Sequence, residues 1–325
     1  MTPLPVTLQI SLAPSDHRLA EHILPHQIRQ WQDAVAEILV TIDLQRSHGR
    51  FGADWEAGKE RILALTRRCA PARVLAVDYD APAQRRVAAE FFAGATIPAK
   101  DCRGGPYYSY FFGLGAATHD FVLHADADIL FGGKPAEWLR EALALHESDS
   151  DLLVTAPLPG PPSADGSLRQ LKGVRGEGPI LSYRFEEMSS RVFLMSRARF
   201  RNRVGSLRPQ LPSWRAMVRA AIDGNPVTEL PEVLFTRAMK RHGLHRIDTL
   251  GALPGCWSLH PPYRNEEFLA KLPELIRRVE TDDLPAGQRG DHDINDSLVD
   301  WSDARRALAH RRWWRRLFHR ASARA

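Results

Sequence analysis

The sequence predicts an α/β fold in which a mostly parallel sheet is flanked by helices. In the first half of the chain, apolar segments of strand length alternate with segments of helical periodicity, at the spacing of βαβ units. The strand segments are continuously apolar, which is typical of parallel strands that are covered on both faces. The segment FVLHADADIL at 121–130 ends in carboxylates, and open α/β sheets bind ligands at the carboxyl ends of their strands.

Composition is that of a soluble globular protein with a cytoplasmic location. The 325 residues carry a net charge of +5 and are enough for one large or two small domains. Three scattered cysteines argue against a disulfide framework and indicate a reducing compartment. No apolar run approaches the ~20 residues of a membrane-spanning helix, and the first residues lack the features of a signal peptide.

Turn, cap and periodicity signals predict the elements in order. Strands are expected at 6–12, 37–44, 73–79, from 121 onward, at 151–156 and at 191–196. Helices are expected at 17–33, 55–69, 82–92, 107–118, 135–147, within 226–243 and at 266–281. Asn265 is placed to cap the last helix and Pro273 to kink or split it. Gly132 and Gly133 indicate a turn, 157–179 indicates a long loop that acts as a mobile lid, and 197–212 indicates irregular chain.

The pair Asp126 and Asp128 is the leading candidate for a ligand site. Two carboxylates at the end of a buried strand suit a hard divalent cation, Mn²⁺ or Mg²⁺, and through it a diphosphate. The same D-x-D spacing recurs at 78–80, 149–151 and 291–293. Asp78 and Asp80 are the rival pair because they also end an apolar strand. A solvated turn is the alternative interpretation of Asp126 and Asp128.

Three short patches carry a family resemblance: TIDL ending near Asp43, HADADIL, and PEVLFTRAMKRHGL. Over roughly the first three quarters of its length, the chain resembles nucleotide-sugar glycosyltransferases of the GT-A fold, most of all the large family-2 group. It departs from them at LAPSD, where a proline-aromatic-asparagine ending is usual. The resemblance implies a GT-A-type, Rossmann-like catalytic domain at 1–260, with a donor half at about 1–133 and an acceptor half at about 134–260. A helical extension at 261–300 and a basic amphipathic tail at 301–325 follow.

The resemblance also implies roles for individual residues. Asp43 would contact the base or ribose of the donor, Asp126 would lie near the ribose and metal, and Asp128 would ligate the metal. Glu232, at the start of a late helix, would be the catalytic base. His260 would be a third metal ligand.

Each of these roles has an alternative. Asp43 is alternatively a plain strand-end carboxylate, Glu232 a first-turn acid favoured by the helix dipole, and His260 a structural histidine. Arg103, with Lys100, is expected to contact the donor phosphates through charge-assisted hydrogen bonds. Asp291 and Asp293 are expected to cap a helix that begins near residue 295, and acceptor binding is the alternative.

The implied activity is metal-dependent transfer of a sugar from a nucleotide-sugar, most simply UDP- or GDP-linked, to an acceptor hydroxyl with inversion. The acceptor class stays open among glycans, lipid-linked molecules and small molecules. Two alternatives are a sugar-nucleotide nucleotidyltransferase, which LAPSDHR disfavours because it is not a Gly-rich loop, and a non-catalytic module that binds nucleotides or polyanions.

The C-terminal tail combines aromatic side chains with many arginines, the composition of a helix that lies on anionic lipid. Its aromatic residues include Trp301, Trp313, Trp314 and Phe318. A solvated tail and RNA binding are the alternatives, and no specific nucleic acid is expected. Membrane association through this tail is therefore one expectation of the sequence.

Overall fold

The computed structural model describes residues 2–47 and 55–311. The strands are β1 (Leu4–Leu12), β2 (Val35–Ile42), β3 (Arg73–Ala76), β4 (Phe121–Asp126), β5 (Leu130–Gly133), β6 (Leu152–Pro159), β7 (Val174–Arg175), β8 (Ser182–Phe185), β9 (Val192–Ser196), β10 (His245–Thr249) and β11 (Cys256–Leu259). The helices are α1 (His17–Trp31), α2 (Trp55–Thr66), α3 (Ala81–Phe92), α4 (Tyr108–Ala116), α5 (Pro135–Ser148), α6 (Arg197–Arg203), α7 (Trp214–Asp223), α8 (Pro231–His242), α9 (Glu266–Glu280) and α10 (Ser302–Arg311). Within those ranges no helix has the length and apolar character to span a bilayer.

The sheet has the strand order β3-β2-β1-β4-β9-β6-β10-β8-β7. Strands β3, β2, β1 and β4 are mutually parallel, and β6 and β10 are parallel to each other. Strand β9 is antiparallel to both β4 and β6. The predicted α/β class, a mostly parallel sheet flanked by helices, is confirmed. Ser11 is in register with both Thr41 and Asp126, so the carboxyl ends of β1, β2 and β4 meet at one edge.

The sheet is covered by one apolar cluster on each face. Val6, Leu8 and Ile10 of β1 are fully buried and belong to the cluster that includes α1 and α9. The other cluster is built around the aromatic helix α4, with Phe111 stacked on Phe235 of α8. The expectation of continuously apolar strands is wrong for β1, where Thr7 and Gln9 alternate with the apolar residues and are buried as well. The amide of Gln9 donates to the hydroxyl of Thr41 on β2 at 2.8 Å, which satisfies this buried polar group.

Several local expectations were wrong. Gly132 and Gly133 do not form a turn but belong to β5, which pairs with β11. The ring of Trp257 on β11 occupies the space that a side chain at position 132 would fill. The stretch 197–212 is not irregular throughout, since Ser196 caps α6 through the amide of Arg199. Strand β6 extends to Pro159, and β7 lies within the predicted loop.

The C-terminal part of the chain returns to the first helix. Asn265 caps α9 as expected, whereas Pro273 lies inside this helix without splitting it. Glu280 of α9 accepts a hydrogen bond from Arg29 and pairs with His26 of α1.

The expectation that the aromatic residues of the C-terminal tail contact a membrane is wrong for the first of them, Trp301. Trp301 is not an exposed anchor: it is 2% exposed, packs on Phe268 and donates to the carbonyl of Ile294 at 2.7 Å. The remaining tail residues at 312–325, with the predicted membrane contact, lie outside the described residues. The domain boundaries stay predictions.

Candidate active site

A cavity of about 160 Å³ opens at the carboxyl ends of β1, β2 and β4. We call it the donor cavity, after the role that we propose for it below. The strand ends supply its floor, the loop after residue 98 one wall, and the segment after β11 another. Its polar lining includes Ser11, Thr41, Asp43, Lys100, Asp126 and Arg264. Three of the predicted site residues, Asp43, Asp126 and Lys100, therefore converge at one edge of the sheet.

Asp43 lies directly after β2 and is held in a buried polar network. Lys100 donates to its Oδ2 at 2.6 Å, and the hydroxyl of Tyr79 donates to its Oδ1 at 2.9 Å. Burial, together with the charge of Asp43, raises the pKa of Tyr79, which keeps that hydroxyl protonated. Arg103, predicted to contact the donor phosphates, is exposed. Among the described residues, Gly104 and Gly105 line the donor cavity, and Arg103 is not part of that lining.

Asp126 ends β4, and its carboxylate is partly exposed to the donor cavity. The turn that follows is fixed by Gln27 of α1, whose amide donates to the carbonyls of Asp126 and Ile129, both at 2.9 Å. The buried His124 lies 3.3 Å from Asp126 Oδ1. This turn gives Asp126 a defined position facing the cavity.

Asp128 is buried and faces cationic groups. Arg264 donates to its Oδ2 at 2.8 Å, and His260 Nε2 lies 3.5 Å from the same oxygen. Burial opposes ionisation of Asp128, but the charges of His260 and Arg264 hold its pKa well below the usual range. Arg264 also donates to Asp16 Oδ1 at 2.7 Å. We call Asp128, His260 and Arg264 the central cluster. Sequence reasoning missed Arg264, for which the only cue was its place shortly after His260.

His260 is oriented by a second carboxylate. Its Nδ1 lies 3.2 Å from Asp293 Oδ1, and Arg191 reaches the same oxygen at 3.4 Å. Burial favours the neutral imidazole, but Asp128 and Asp293 raise the pKa of His260 above its usual value. The expectation that Asp293 caps a helix was wrong, because the stretch near residue 295 forms turns and Asp293 holds His260 instead.

The cluster fits a divalent cation only in part. Across residues 2–47 and 55–311, no three His, Cys, Asp or Glu side chains form a group that could hold a metal ion, so Asp126, Asp128 and His260 are not assembled as a set. Asp128 and His260 together offer a carboxylate and an imidazole, which suit Mn²⁺ or Mg²⁺ when diphosphate oxygens complete the coordination. Arg264 occupies the Asp128 oxygen that such a cation would use.

A second cavity, of about 360 Å³, lies on the other side of the central cluster. We call it the acceptor cavity, again after its proposed role. Its lining includes Lys172, Arg191, Glu232, Arg246, Asp248 and His260. Glu232 lies in the first turn of α8, and its carboxylate accepts a hydrogen bond of 3.3 Å from Ser190. The predicted base therefore shares a cavity with His260.

Tyr110 of α4 is buried within the influence of two predicted site carboxylates, those of Asp126 and Glu232. Its ring packs on His124, with centroids 4.7 Å apart, and its buried hydroxyl has no hydrogen-bond partner among the described residues. Burial, together with the charges of Asp126 and Glu232, raises the pKa of Tyr110. The aromatic helix thus adds a neutral hydroxyl near both carboxylates, in addition to core packing.

The rival pair has local structural roles. Asp80 caps α3 by accepting a hydrogen bond from the amide of Ala83 at 2.6 Å, and Asp78 accepts one from the amide of Asp80 at 2.8 Å. These contacts are those of helix caps and turns.

Comparisons with known proteins find likeness only among solved structures. No protein-family model and no curated protein matches the chain. Glucosyl-3-phosphoglycerate synthase from Mycobacterium tuberculosis, in complex with Mn²⁺, uridine-diphosphate and glucosyl-3-phosphoglycerate, is similar at 14% identity. That match covers 84% of this chain and 77% of that chain, with a TM-score of 0.36.

A structure of the same synthase with Mg²⁺ and uridine-diphosphate is similar at 13% identity, with 84% and 77% coverage and a TM-score of 0.35. An active-site mutant of LgtC is similar at 13% identity, with 90% and 85% coverage and a TM-score of 0.33. Likeness at this level carries no argument about activity, which depends on the site itself.

Proposed function

We propose that the protein is a glycosyltransferase of GT-A type that transfers a sugar from a nucleoside diphosphate sugar to an acceptor hydroxyl. The observation that carries this proposal is the position of the central cluster between two cavities. Arg264 lines the donor cavity and His260 lines the acceptor cavity. A group-transfer enzyme needs such a shared boundary, because donor and acceptor must meet at one reacting atom.

The donor cavity supplies groups of the right chemistry for a nucleotide. Asp43, held by Lys100 and Tyr79, presents a fixed carboxylate to hydroxyl or ring N–H donors of the nucleoside. Asp126 faces the same space. Arg264 offers positive charge to a diphosphate whose negative charge grows as the sugar leaves, and so does His260 while it is protonated. When Mn²⁺ or Mg²⁺ is bound, Asp128 and a neutral His260 would hold it, and the cation would neutralise part of that charge.

Glu232 would act as the general base from the acceptor side. Its carboxylate would take the proton of the acceptor hydroxyl as that oxygen attacks the anomeric carbon, and the carbon–oxygen bond to the diphosphate breaks. A single displacement of this kind inverts the anomeric centre. Ser190 orients the carboxylate through its hydrogen bond.

Ligand-dependent thermal stability tests the proposal. UDP, GDP and CDP are each added with and without Mn²⁺, and the sugar nucleotide of the stabilising base is then assayed for hydrolysis and transfer. Asp128→Asn should abolish the Mn²⁺-dependent shift, whereas the matched control Asp78→Asn should keep it. If no nucleotide stabilises the protein, the proposal fails. Release of pyrophosphate from a nucleoside triphosphate and a sugar phosphate would instead indicate a nucleotidyltransferase.

A further inference from the structure

Helix α7 (Trp214–Asp223) stands apart from both apolar clusters. Ala220 is its only buried residue. The side chains opposite Ala220 include Trp214, Val218 and Ile222, which are 66%, 52% and 78% exposed. Their spacing of four residues places neighbours about 40° apart around the helix axis, so they form one stripe along the exposed side. We call these three residues the apolar stripe.

Leu211, three residues before Trp214, is also an exposed apolar side chain, at 69%. Single exposed apolar residues are ordinary on a protein surface, whereas a contiguous row that ends in tryptophan marks a contact surface. Because more than half of each of these three side chains is exposed in the folded chain, the stripe contributes little to folding. Its apolar character therefore requires an explanation outside the folded chain.

Arginines border the apolar stripe. Arg215 and Arg219 follow Trp214 and Val218 by one position and lie beside the stripe on the exposed side. The guanidinium of Arg215 lies 5.4 Å from the centroid of the Trp214 ring. Across 207–224 the chain has three arginines, the third being Arg208, and Asp223 as its one acidic residue.

This combination fits the interface of an anionic bilayer. Tryptophan and aliphatic side chains enter the boundary between headgroups and acyl chains, while adjacent arginines meet lipid phosphates. A second copy of the chain is a poorer occupant, because it would bring the same three arginines against the first set. Asp223 cannot offset them, since it already lies 3.6 Å from Arg219.

The segment 210–229, which carries α7, is hydrogen-bonded to the loop that lines the donor cavity. Glu229 donates its amide to the carbonyl of Gln210 at 2.9 Å, which closes the segment that carries α7. The amide of Cys102 donates to the carbonyl of Thr228 at 2.9 Å, and Gly104 and Gly105 of the same loop line the donor cavity. A surface that held α7 would thus lie beside the loop that walls this cavity.

We propose that the apolar stripe and its arginines are a docking surface for an anionic membrane. Co-sedimentation of the full-length chain with phosphatidylcholine vesicles, with and without phosphatidylglycerol, tests this. The wild-type chain should sediment with the anionic vesicles only. Trp214→Ser/Val218→Ser/Ile222→Ser should weaken that binding by about tenfold or more, and Arg215→Gln/Arg219→Gln by several-fold.

A matched control distinguishes binding through this surface from nonspecific binding through any exposed apolar side chain. Val174→Ser/Leu253→Ser removes side chains that are 73% and 82% exposed elsewhere, and should bind vesicles as the wild type does. Wild-type binding by the triple variant would overturn the proposal and leave the C-terminal tail as the source. A wild type that ignores anionic vesicles, or whose stripe variants change from dimer to monomer in analytical ultracentrifugation, would also overturn it. Nucleotide-induced thermal stabilisation, measured in parallel, shows that each variant is folded and tests the transferase proposal separately.

Discussion

Asp128 accepts a hydrogen bond of 2.8 Å from Arg264, a residue 136 positions further along the chain. The same guanidinium reaches Asp16, so one cation compensates two buried carboxylates. Because this contact closes the donor cavity and occupies the predicted metal ligand, Arg264 has to be considered with any ligand that binds there.

Replacing Arg264 with alanine should lower the free energy of unfolding by about 3 kcal/mol, since Asp128 is left buried without its guanidinium partner. Mn²⁺ alone should then raise the melting temperature of Arg264→Ala and not that of the wild type, because Asp128 Oδ2 becomes free. Differential scanning calorimetry with and without Mn²⁺ measures both effects. The control Arg18→Ala breaks an ion pair with Glu266 that is exposed to solvent and should therefore cost much less. Equal losses for both variants would contradict the role of Arg264.

The buried pair of Asp43 and Lys100 should show strong coupling. Either Asp43→Asn or Lys100→Met leaves one member of a 2.6 Å contact without its partner and should cost about 3 kcal/mol of unfolding free energy. The double variant should cost clearly less than the sum of the two single losses. Urea denaturation of the four proteins gives the coupling energy, and additive losses would show that the pair acts independently.

Glu232→Gln should reduce kcat for sugar transfer by about 10²- to 10⁴-fold while leaving nucleotide-induced stabilisation intact, because the amide cannot accept the proton. Steady-state kinetics beside thermal shift with UDP separates the two effects. Glu229→Gln is a close control, since that side chain accepts a hydrogen bond from the amide of Leu230. Near-normal turnover by Glu232→Gln would remove Glu232 from the mechanism.

Acid should destabilise the protein through His146. Burial, with the nearby Arg199, lowers the pKa of this side chain to about 4, from 6.5 in an unfolded chain. The folded state therefore favours the neutral imidazole, so this contribution is complete above pH 6.5 and is lost as the pH falls from 6.5 towards 4. The loss approaches ~1.4 kcal/mol per pH unit.

His146→Gln should show a shallower pH dependence across that window, and denaturant melts at several pH values measure it. His119→Gln, at a partly exposed surface histidine, serves as the control and should keep the wild-type slope. A variant of His146 with an unchanged slope would assign the acid sensitivity to other groups.

Gly132→Ala should destabilise the fold by about 1–3 kcal/mol, because a Cβ at this position would lie 2.1 Å from a ring carbon of Trp257. Gly178→Ala, where no atom of the described residues lies within 4 Å of the added Cβ, should be neutral. Thermal unfolding of both variants checks the difference. A neutral Gly132→Ala would show that β5 and β11 separate easily.

The order of elements from β1 to β4 could be predicted because segments of strand length alternate with segments of helical periodicity along this part of the chain. Gly132 misled the prediction for a physical reason: a glycine pair is a strong local turn signal, whereas here it makes room for a tryptophan more than a hundred residues away in sequence. Helix α6 was missed because its sequence, RARFRNR, shows no apolar periodicity. Only long-range packing decides such positions.

In the candidate site, too, some residues follow from local sequence, whereas others depend on long-range packing. Asp43 and Asp126 were predictable because strand-end carboxylates of parallel strands share an edge. The pairing of Asp128 with Arg264, and of Asp293 with His260, was not, since neither partner lies in a local motif. Tyr110 could be recognised as part of an aromatic helix, but its contacts with His124 and Phe235 depend on how α4 packs against β4 and α8.

The late position of Arg264 has a consequence for biosynthesis. While the ribosome is still adding residues beyond β11, Asp16 and Asp128 have emerged without the guanidinium that neutralises both, and α9 is not yet available to cover α1. The donor cavity can therefore reach its final form only after Arg264 and α9 have been synthesised. A chain truncated before residue 264 would have the strands that line this cavity and an open edge with two uncompensated carboxylates. Truncated chains that end before and after α9, probed for nucleotide binding, should bind nucleotide only when both Arg264 and α9 are present.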